Sequence, residues 1–198
     1  MKKINPQIQI PNLSYQPLTL ESWVQFEKLF GEKGACGGCW CMWWRLKRSE
    51  YETSKGEGNK NLMKALVGAG DTLGLMAIHQ NNPIGWCALS PRSSFPVLDR
   101  SRVLKKVDDL PVWSLPCLFI IKDFRNQGIS SALVNEAVKY CFNQGAKIVE
   151  AYPVQPKKDR MPDVFAWTGL YSTFVKAGFK EVARRSETRP IMRKYAGM

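Results

Sequence analysis

The residues best suited to chemistry stand together in one short stretch. Lys122-Asp-Phe-Arg-Asn-Gln-Gly-Ile-Ser130 lies between an apolar run that ends at Ile121 and an amphipathic run that continues to Gly145. A helix start carries unpaired backbone N–H groups and the positive end of the helix dipole. Gly128 permits a positive φ or the close approach of a ligand to the backbone. Ser130 is small, and Arg125 adds a full charge. A turn of this kind aims several donors at one point, which suits a pyrophosphate. It equally suits a plain surface connection, because it matches neither the nucleotide-binding GxxxxGK(S/T) nor the dinucleotide-binding GxGxxG pattern.

A second unusual stretch is Gly34 to Arg45, "GACGGCWCMWWR". Its Cys36, Cys39 and Cys41 invite a metal reading, but a structural zinc needs four ligands and no second Cys/His cluster completes the set. A redox pair at Cys36 and Cys39 lacks the expected fold context. No metal is therefore expected. Trp40, Met42, Trp43 and Trp44 read as a hydrophobic plug under a sheet, or as an aromatic wall for an apolar or cationic ligand. Farther on, "SPRSSFPVLDRSR", Ser90 to Arg102, is basic. Arg92, Arg100 and Arg102 would suit a carboxylate or phosphate, and the same residues would suit a solvated loop. Glu150 and Asp123 are candidate bases. His79, the single histidine, falls in an expected strand, where a lone histidine is usually structural.

The elements that must position these groups follow from periodicity. Leu18–Phe30 has apolar residues at helical spacing, with Thr19 as a cap, and Asn59–Val67 is a second helix. Thr72–His79 and Ile84–Leu89 read as strands joined by a Gln80-Asn-Asn-Pro83 hairpin turn. A helix is expected near Leu98–Val107. Val112–Ile121 is a strand that Pro116 interrupts, since proline cannot donate to a ladder. Ile129, Leu133, Val134, Ala137, Val138 and Cys141 share one helical face, and Gly145 ends that helix. Ala146–Val154 is a strand, Asp163–Ala177 a helix, and Phe179–Arg185 with Arg189–Tyr195 a final strand pair. The mixture predicts an α/β or α+β sheet covered by helices.

Composition bounds the rest. A chain of 198 residues that is 44% hydrophobic and 23% charged is long enough for a core and too apolar for disorder. One domain over residues 1–198 is expected. No apolar run reaches bilayer length, and no apolar stretch follows Lys2 and Lys3, so a cytoplasmic protein with no membrane partner is expected. The six cysteines should then be reduced thiols. A net charge of +12 favours anionic partners or is simply a solvated basic surface.

"FIIKDFRNQGISSALVNEAV" resembles the central acyl-CoA motif of the GNAT N-acetyltransferase superfamily, V-x-P-x-Y/F-Q/R-x-x-G-x-G/A-x-x-L. Ile120, Phe124, Arg125, Gly128 and Leu133 match it, while Lys122 stands in place of proline and Ser130 in place of the last Gly or Ala. "LYSTFVKAGF" resembles the second signature, L-Y-x-x-x-G-F, through Gly178 and Phe179; its tyrosine falls on Phe174, and an upstream asparagine falls on Trp167. The resemblance implies a mixed, mostly antiparallel sheet of about seven strands, helices on both faces and a V-shaped cofactor cleft near Pro116 and Pro153. It implies acetyl-CoA as cosubstrate. Backbone groups of Leu118, Phe119 and Ile120 would pair with the pantetheine arm like a missing strand. Arg125 and the N–H groups of Asn126, Gln127, Gly128, Ile129, Ser130 and Ser131 would hold the pyrophosphate. Trp40, Trp43, Arg92 and Arg102 would line the acceptor side. Because Phe174 has no proton to give, Tyr171, one helical turn earlier, is the candidate general acid.

Two functions follow from this resemblance. One is direct transfer of an acetyl group to a primary amine of a small molecule, a peptide or an aminoacyl group, the acceptor being anionic or aromatic, and a nucleic acid only as a charged tRNA. The other is a binding module that keeps the fold, with or without the cofactor, but lacks turnover, or that binds nucleic acid through its basic surface. Either reading allows a monomer or a homodimer.

Overall fold

The computed structural model describes residues 12–157 and 161–197, so the N-terminal lysines lie outside the described residues. In chain order the elements are β1 Leu13–Pro17, α1 Trp23–Phe30, α2 Arg48–Thr53, α3 Glu57–Gly68, β2 Gly74–His79, β3 Asn82–Pro91, α4 Pro96–Arg100, β4 Trp113–Ile120, α5 Ile129–Asn143, β5 Ile148–Ala151, α6 Tyr171–Lys176, β6 Lys180–Arg184 and β7 Pro190–Tyr195. The seven strands form one sheet in the order β1-β2-β3-β4-β5-β7-β6. Every neighbouring pair is antiparallel except β4 and β5, which run parallel. This is the mixed, mostly antiparallel architecture expected, with helices on both faces.

Each face has its own core. On one, α5 sends Ile129, Leu133, Val134, Ala137, Val138 and Cys141 against Leu75, Cys87, Leu115 and Leu118. A fully buried Leu, Ile or Val side chain contributes roughly 1.5–3 kcal/mol, so this helix is held mainly by that stripe. On the other face, Trp23, Phe26, Phe30 and Trp40 pack around the fully buried Trp86 of β3. The β2–β3 hairpin turns on Gln80 and Asn81, both at positive φ, the twist a two-residue hairpin turn requires.

The parallel seam is short. Trp113, Ser114 and Leu115 of β4 pair with Val149, Glu150 and Ala151 of β5, and the pairing stops there. On its other edge β4 carries a bulge: Cys117 faces Ala88 and Ser114 faces Ser90, so Leu115 and Pro116 together oppose Leu89. The extra residue bends the strand at the point where β4 and β5 part. Pro116, with no N–H to offer, accepts the Trp44 indole N–H on its carbonyl at 3.0 Å.

Three helices differ from the sequence expectation and α2 has no counterpart in it; the helix expected over Leu18–Phe30 begins only at Trp23, with Ser22 rather than Thr19 at its cap position. The helix expected near Leu98–Val107 begins earlier and is shorter, with Pro96 in its first turn, a position that suits proline's fixed φ. The helix expected over Asp163–Ala177 is a short 3₁₀ turn at Asp163–Phe165, then a second turn closed by Gly169 N–H to the Ala166 carbonyl, then α6. The break falls at Gly169, at φ +80, where a Cβ would meet Phe174 at 2.6 Å and Leu118 at 2.8 Å.

Candidate active site

The cleft opens where β4 and β5 separate, and its volume is about 660 Å³, within the range of small-molecule sites. Its walls divide into two ends. The polar end is the turn after β4. Asn126 sits at φ +60 and Gly128, at the start of α5, at φ +82, an alternation that turns successive N–H groups toward one side. Among the described residues, none of the six backbone N–H groups from Asn126 to Ser131 meets an acceptor, and the first paired one is Ala132, to the Gly128 carbonyl. A Cβ built on Gly128 would meet nothing within 4 Å. Arg125 reaches back across the turn. Its Nε donates to the Ile120 carbonyl at 2.9 Å and Nη1 to Asp163 at 2.8 Å.

The edge of β4 that faces the cleft is partly used. The Leu118 N–H donates to the Trp167 carbonyl at 2.7 Å. The same segment bonds the chain beyond β5 on its far side, with Val154 N–H to Gly169 O and Tyr171 N–H to Val154 O, both at 2.9 Å. Trp167–Tyr171 is thus a wedge that holds the two strands apart. The Ile120 N–H, two residues on, points to the cleft side by strand alternation.

The apolar end is aromatic and sulfur-rich. Trp43 meets Tyr51 edge-on at 5.0 Å and Trp167 edge-on at 6.3 Å, and Trp44 lies 5.4 Å from Trp167. Cys36, Cys39, Cys41 and Cys117 line the same space. The Cys117 thiol hydrogen-bonds the Cys41 sulfur, which holds Cys41 low and pushes Cys117 well up. The Trp86 indole N–H, 3.2 Å from Cys41 Sγ, and the Arg45 charge favour the Cys41 thiolate too. Burial pushes Cys39 up to about 11 and Tyr51 up to about 12. Among the described residues no group of three or more His, Cys, Asp or Glu side chains is placed to hold a metal ion.

The cleft brings together Leu118, Phe119, Ile120, Arg125, Asn126, Ile129, Ser130 and Trp43. Gln127, Gly128 and Ser131 sit on the turn that forms its polar end. Four other expected site residues lie elsewhere. Trp40 is buried beneath the pocket, stacked 5.7 Å from Phe30. Arg102 is exposed and does not line the cleft. Arg92 is buried in an ion-pair network. Its guanidinium donates to Glu150 at 2.8 Å, Tyr152 at 2.7 Å, Asp99 at 2.8 Å and the Leu104 carbonyl at 3.0 Å. Arg193 holds the other Glu150 oxygen at 2.7 Å and grips Asp108 with both terminal nitrogens. Glu150 is wholly buried, so this candidate base is a structural counter-ion that ties the 92–108 insertion to the sheet.

Tyr171 is also off the cleft. Its ring lies under the Arg184 guanidinium, 5.6 Å away, which itself grips Glu181 through Nε and Nη2. Tyr171→Phe is therefore expected to change kcat by less than about threefold, against the roughly 100-fold or greater loss of a general acid; steady-state kinetics on the variant check this. Sequence reasoning missed Tyr51, Cys117 and Asp163 as cleft residues. Cys117 carried a signal, since it follows the proline that parts the strands; Tyr51 and Asp163 carried none.

The Acetyltransferase (GNAT) family model matches residues 40–165, most of the chain, and the protein belongs to that family. Solved structures share the fold. A PaiA N-acetyltransferase from Thermoplasma acidophilum in complex with coenzyme A is 19% identical with a TM-score of 0.51, over 93% of this chain and 99% of that one. A GNAT acetyltransferase from Listeria monocytogenes is 8% identical with a TM-score of 0.55, over 92% and 94%. The aminoglycoside acetyltransferase AAC(6')-Ib in complex with coenzyme A is 15% identical with a TM-score of 0.53, over 93% and 95%. No curated protein matches the chain significantly.

Proposed function

We propose that this protein is an acetyl-CoA-dependent N-acetyltransferase that moves the acetyl group directly to a primary amine. The observation that carries the reading is the row of unpaired N–H groups from Asn126 to Ser131 at the mouth of the strand split. Six donors in a row with no acceptor are costly to bury and well suited to a pyrophosphate. Arg125 stands beside them and would exchange Asp163 for phosphate. The pantetheine arm would run along β4, where the Ile120 N–H and the Leu118 carbonyl face the cleft.

In this reading the thioester lies near Cys117, with the acceptor entering from the Trp43 side. The chemistry needs a neutral amine. No helix among the described residues is long and apolar enough to cross a membrane, and a cytoplasmic location fits the reading. A second reading, a CoA-binding module without transfer, draws on the placement of Tyr171 and Glu150 outside the cleft.

One experiment separates them: calorimetry with CoA, followed by release of free CoA from acetyl-CoA in the presence of an amine panel. Binding with amine-dependent release supports the enzyme. Binding without release on any amine supports the module. No binding of CoA would remove both.

A further inference from the structure

We infer that the acceptor is a primary aromatic amine, seated flat in the box made by Trp43, Trp44, Tyr51 and Trp167. This rests on the acetyltransferase reading. The first argument is shape and polarity. Three indoles and a phenol enclose the acceptor end, with Cys39 and Cys117 between them. Rings pack best against rings, by offset stacking or edge contact, and Trp43 and Trp167 already meet edge-on with faces left for a third ring.

The second argument is charge. The only carboxylate lining the cleft, among the described residues, is Asp163, at the polar end and paired with Arg125. Among the described residues nothing at the apolar end offers a counter-ion to an ammonium except the sulfur of Cys41, which is 4% exposed and already held by Trp86 and Cys117. An aromatic cage alone attracts a cation, but a cation cannot react. With Glu150 locked between Arg92 and Arg193, no carboxylate among the described residues stands at the apolar end to deprotonate one. The chain's net charge of +12 further disfavours the approach of polycations.

An alkylamine of ordinary basicity is neutral to only about one part in a thousand at pH 7. An aromatic amine is neutral there without help. Its nitrogen lone pair forms the new N–C bond to the acetyl carbon. The C–S bond breaks, and its electron pair leaves on the CoA sulfur. The proton lost from nitrogen ends on that thiolate or in solvent, so the step balances without a basic residue.

The test compares aniline with cyclohexylamine, nearly equal in size but not in basicity, together with spermidine and an aminoglycoside, all at pH 7 with acetyl-CoA. The expected result is a kcat/KM for aniline at least about tenfold above that for cyclohexylamine. The margin is smaller than the difference in neutral fraction because the free alkylamine is the stronger nucleophile. Trp43→Ala should raise the KM for aniline about tenfold and leave that for acetyl-CoA within about twofold; Trp43→Phe should restore most of it. CoA binding by calorimetry on the same preparation separates the two ideas. CoA binding with cyclohexylamine, spermidine or the aminoglycoside preferred overturns the acceptor class and leaves the acetyltransferase reading standing. CoA binding with transfer to none of the four also overturns it, and failure to bind CoA overturns both.

Discussion

Gly128→Val is expected to weaken CoA binding by at least about 100-fold while the protein stays folded. The turn places Gly128 at φ +82 with nothing within 4 Å of a would-be Cβ, so no protein atom would be displaced. In the proposed pose the side chain would share that open space with the pyrophosphate. It projects into the space beside the free N–H groups, and a β-branched residue also resists positive φ. Each bond to a charged oxygen is worth roughly 1.5–3 kcal/mol, so losing two costs about 3–6 kcal/mol, or roughly 10²–10⁴ in affinity. Gly128→Ala should lie between. Asn126→Ala should cost far less, because that residue contributes backbone. Calorimetry with CoA and with a pantetheine fragment lacking phosphates gives the answer: the fragment should bind the variant and the parent alike. A folded Gly128→Val protein with normal CoA affinity would place the phosphates elsewhere.

Glu150→Ala should be the most destabilising single change near the cleft. It would leave the guanidiniums of Arg92 and Arg193, 6% and 3% exposed, facing a void with no shared anion. Breaking a buried ion pair from one side costs about 3–5 kcal/mol. In a domain of this size 1 kcal/mol is about 2–4 °C, so Tm should fall by roughly 10 °C. Asp99→Ala, whose carboxylate is half exposed, should cost much less. Thermal unfolding on the two variants measures the difference. A Glu150→Ala protein with parental Tm and no turnover would reverse the assignment and return Glu150 to catalysis.

The turn of free N–H groups was legible in the sequence because its parts are consecutive. Arg125, Gly128 and the helix start occur within a few residues, and local backbone geometry decides what they do. The Glu150 network was not legible. Arg92 and Glu150 are 58 residues apart and Arg193 and Glu150 are 43 apart, so only the sheet order brings them together. A buried arginine reads the same as a free one in sequence. The aromatic stretch was legible in type but not in direction. Trp40 and Cys41 both take positive φ, which breaks any periodicity, so nothing in the order Trp40, Met42, Trp43, Trp44 tells which ring faces the cleft. The strands were found where alternation or apolar runs were long. The helix at Pro96 starts earlier than apolar spacing indicates because proline's fixed φ favours the first turn, and the Asp163–Ala177 stretch breaks at Gly169, whose φ of +80 interrupts a helical run.

The bulge at Leu115–Pro116 decides which side chains do which job by simple counting. Before it, the odd-numbered residues Trp113 and Leu115 belong to the α5 side. After it, the even-numbered Leu118 and Ile120 do, and the odd-numbered Cys117 and Phe119 turn to the opposite face. The parity of the strand changes in mid-course. The same residues laid out as a regular strand, without the bulge, would carry the alternation on from Leu115 and put Leu118 and Ile120 on the face opposite α5, with Cys117 and Phe119 against α5. Which side chains face the cleft is therefore set by a residue count as much as by residue type, and deleting Pro116 would remove the bulge while leaving Cys117, Leu118, Phe119 and Ile120 on the faces they now occupy.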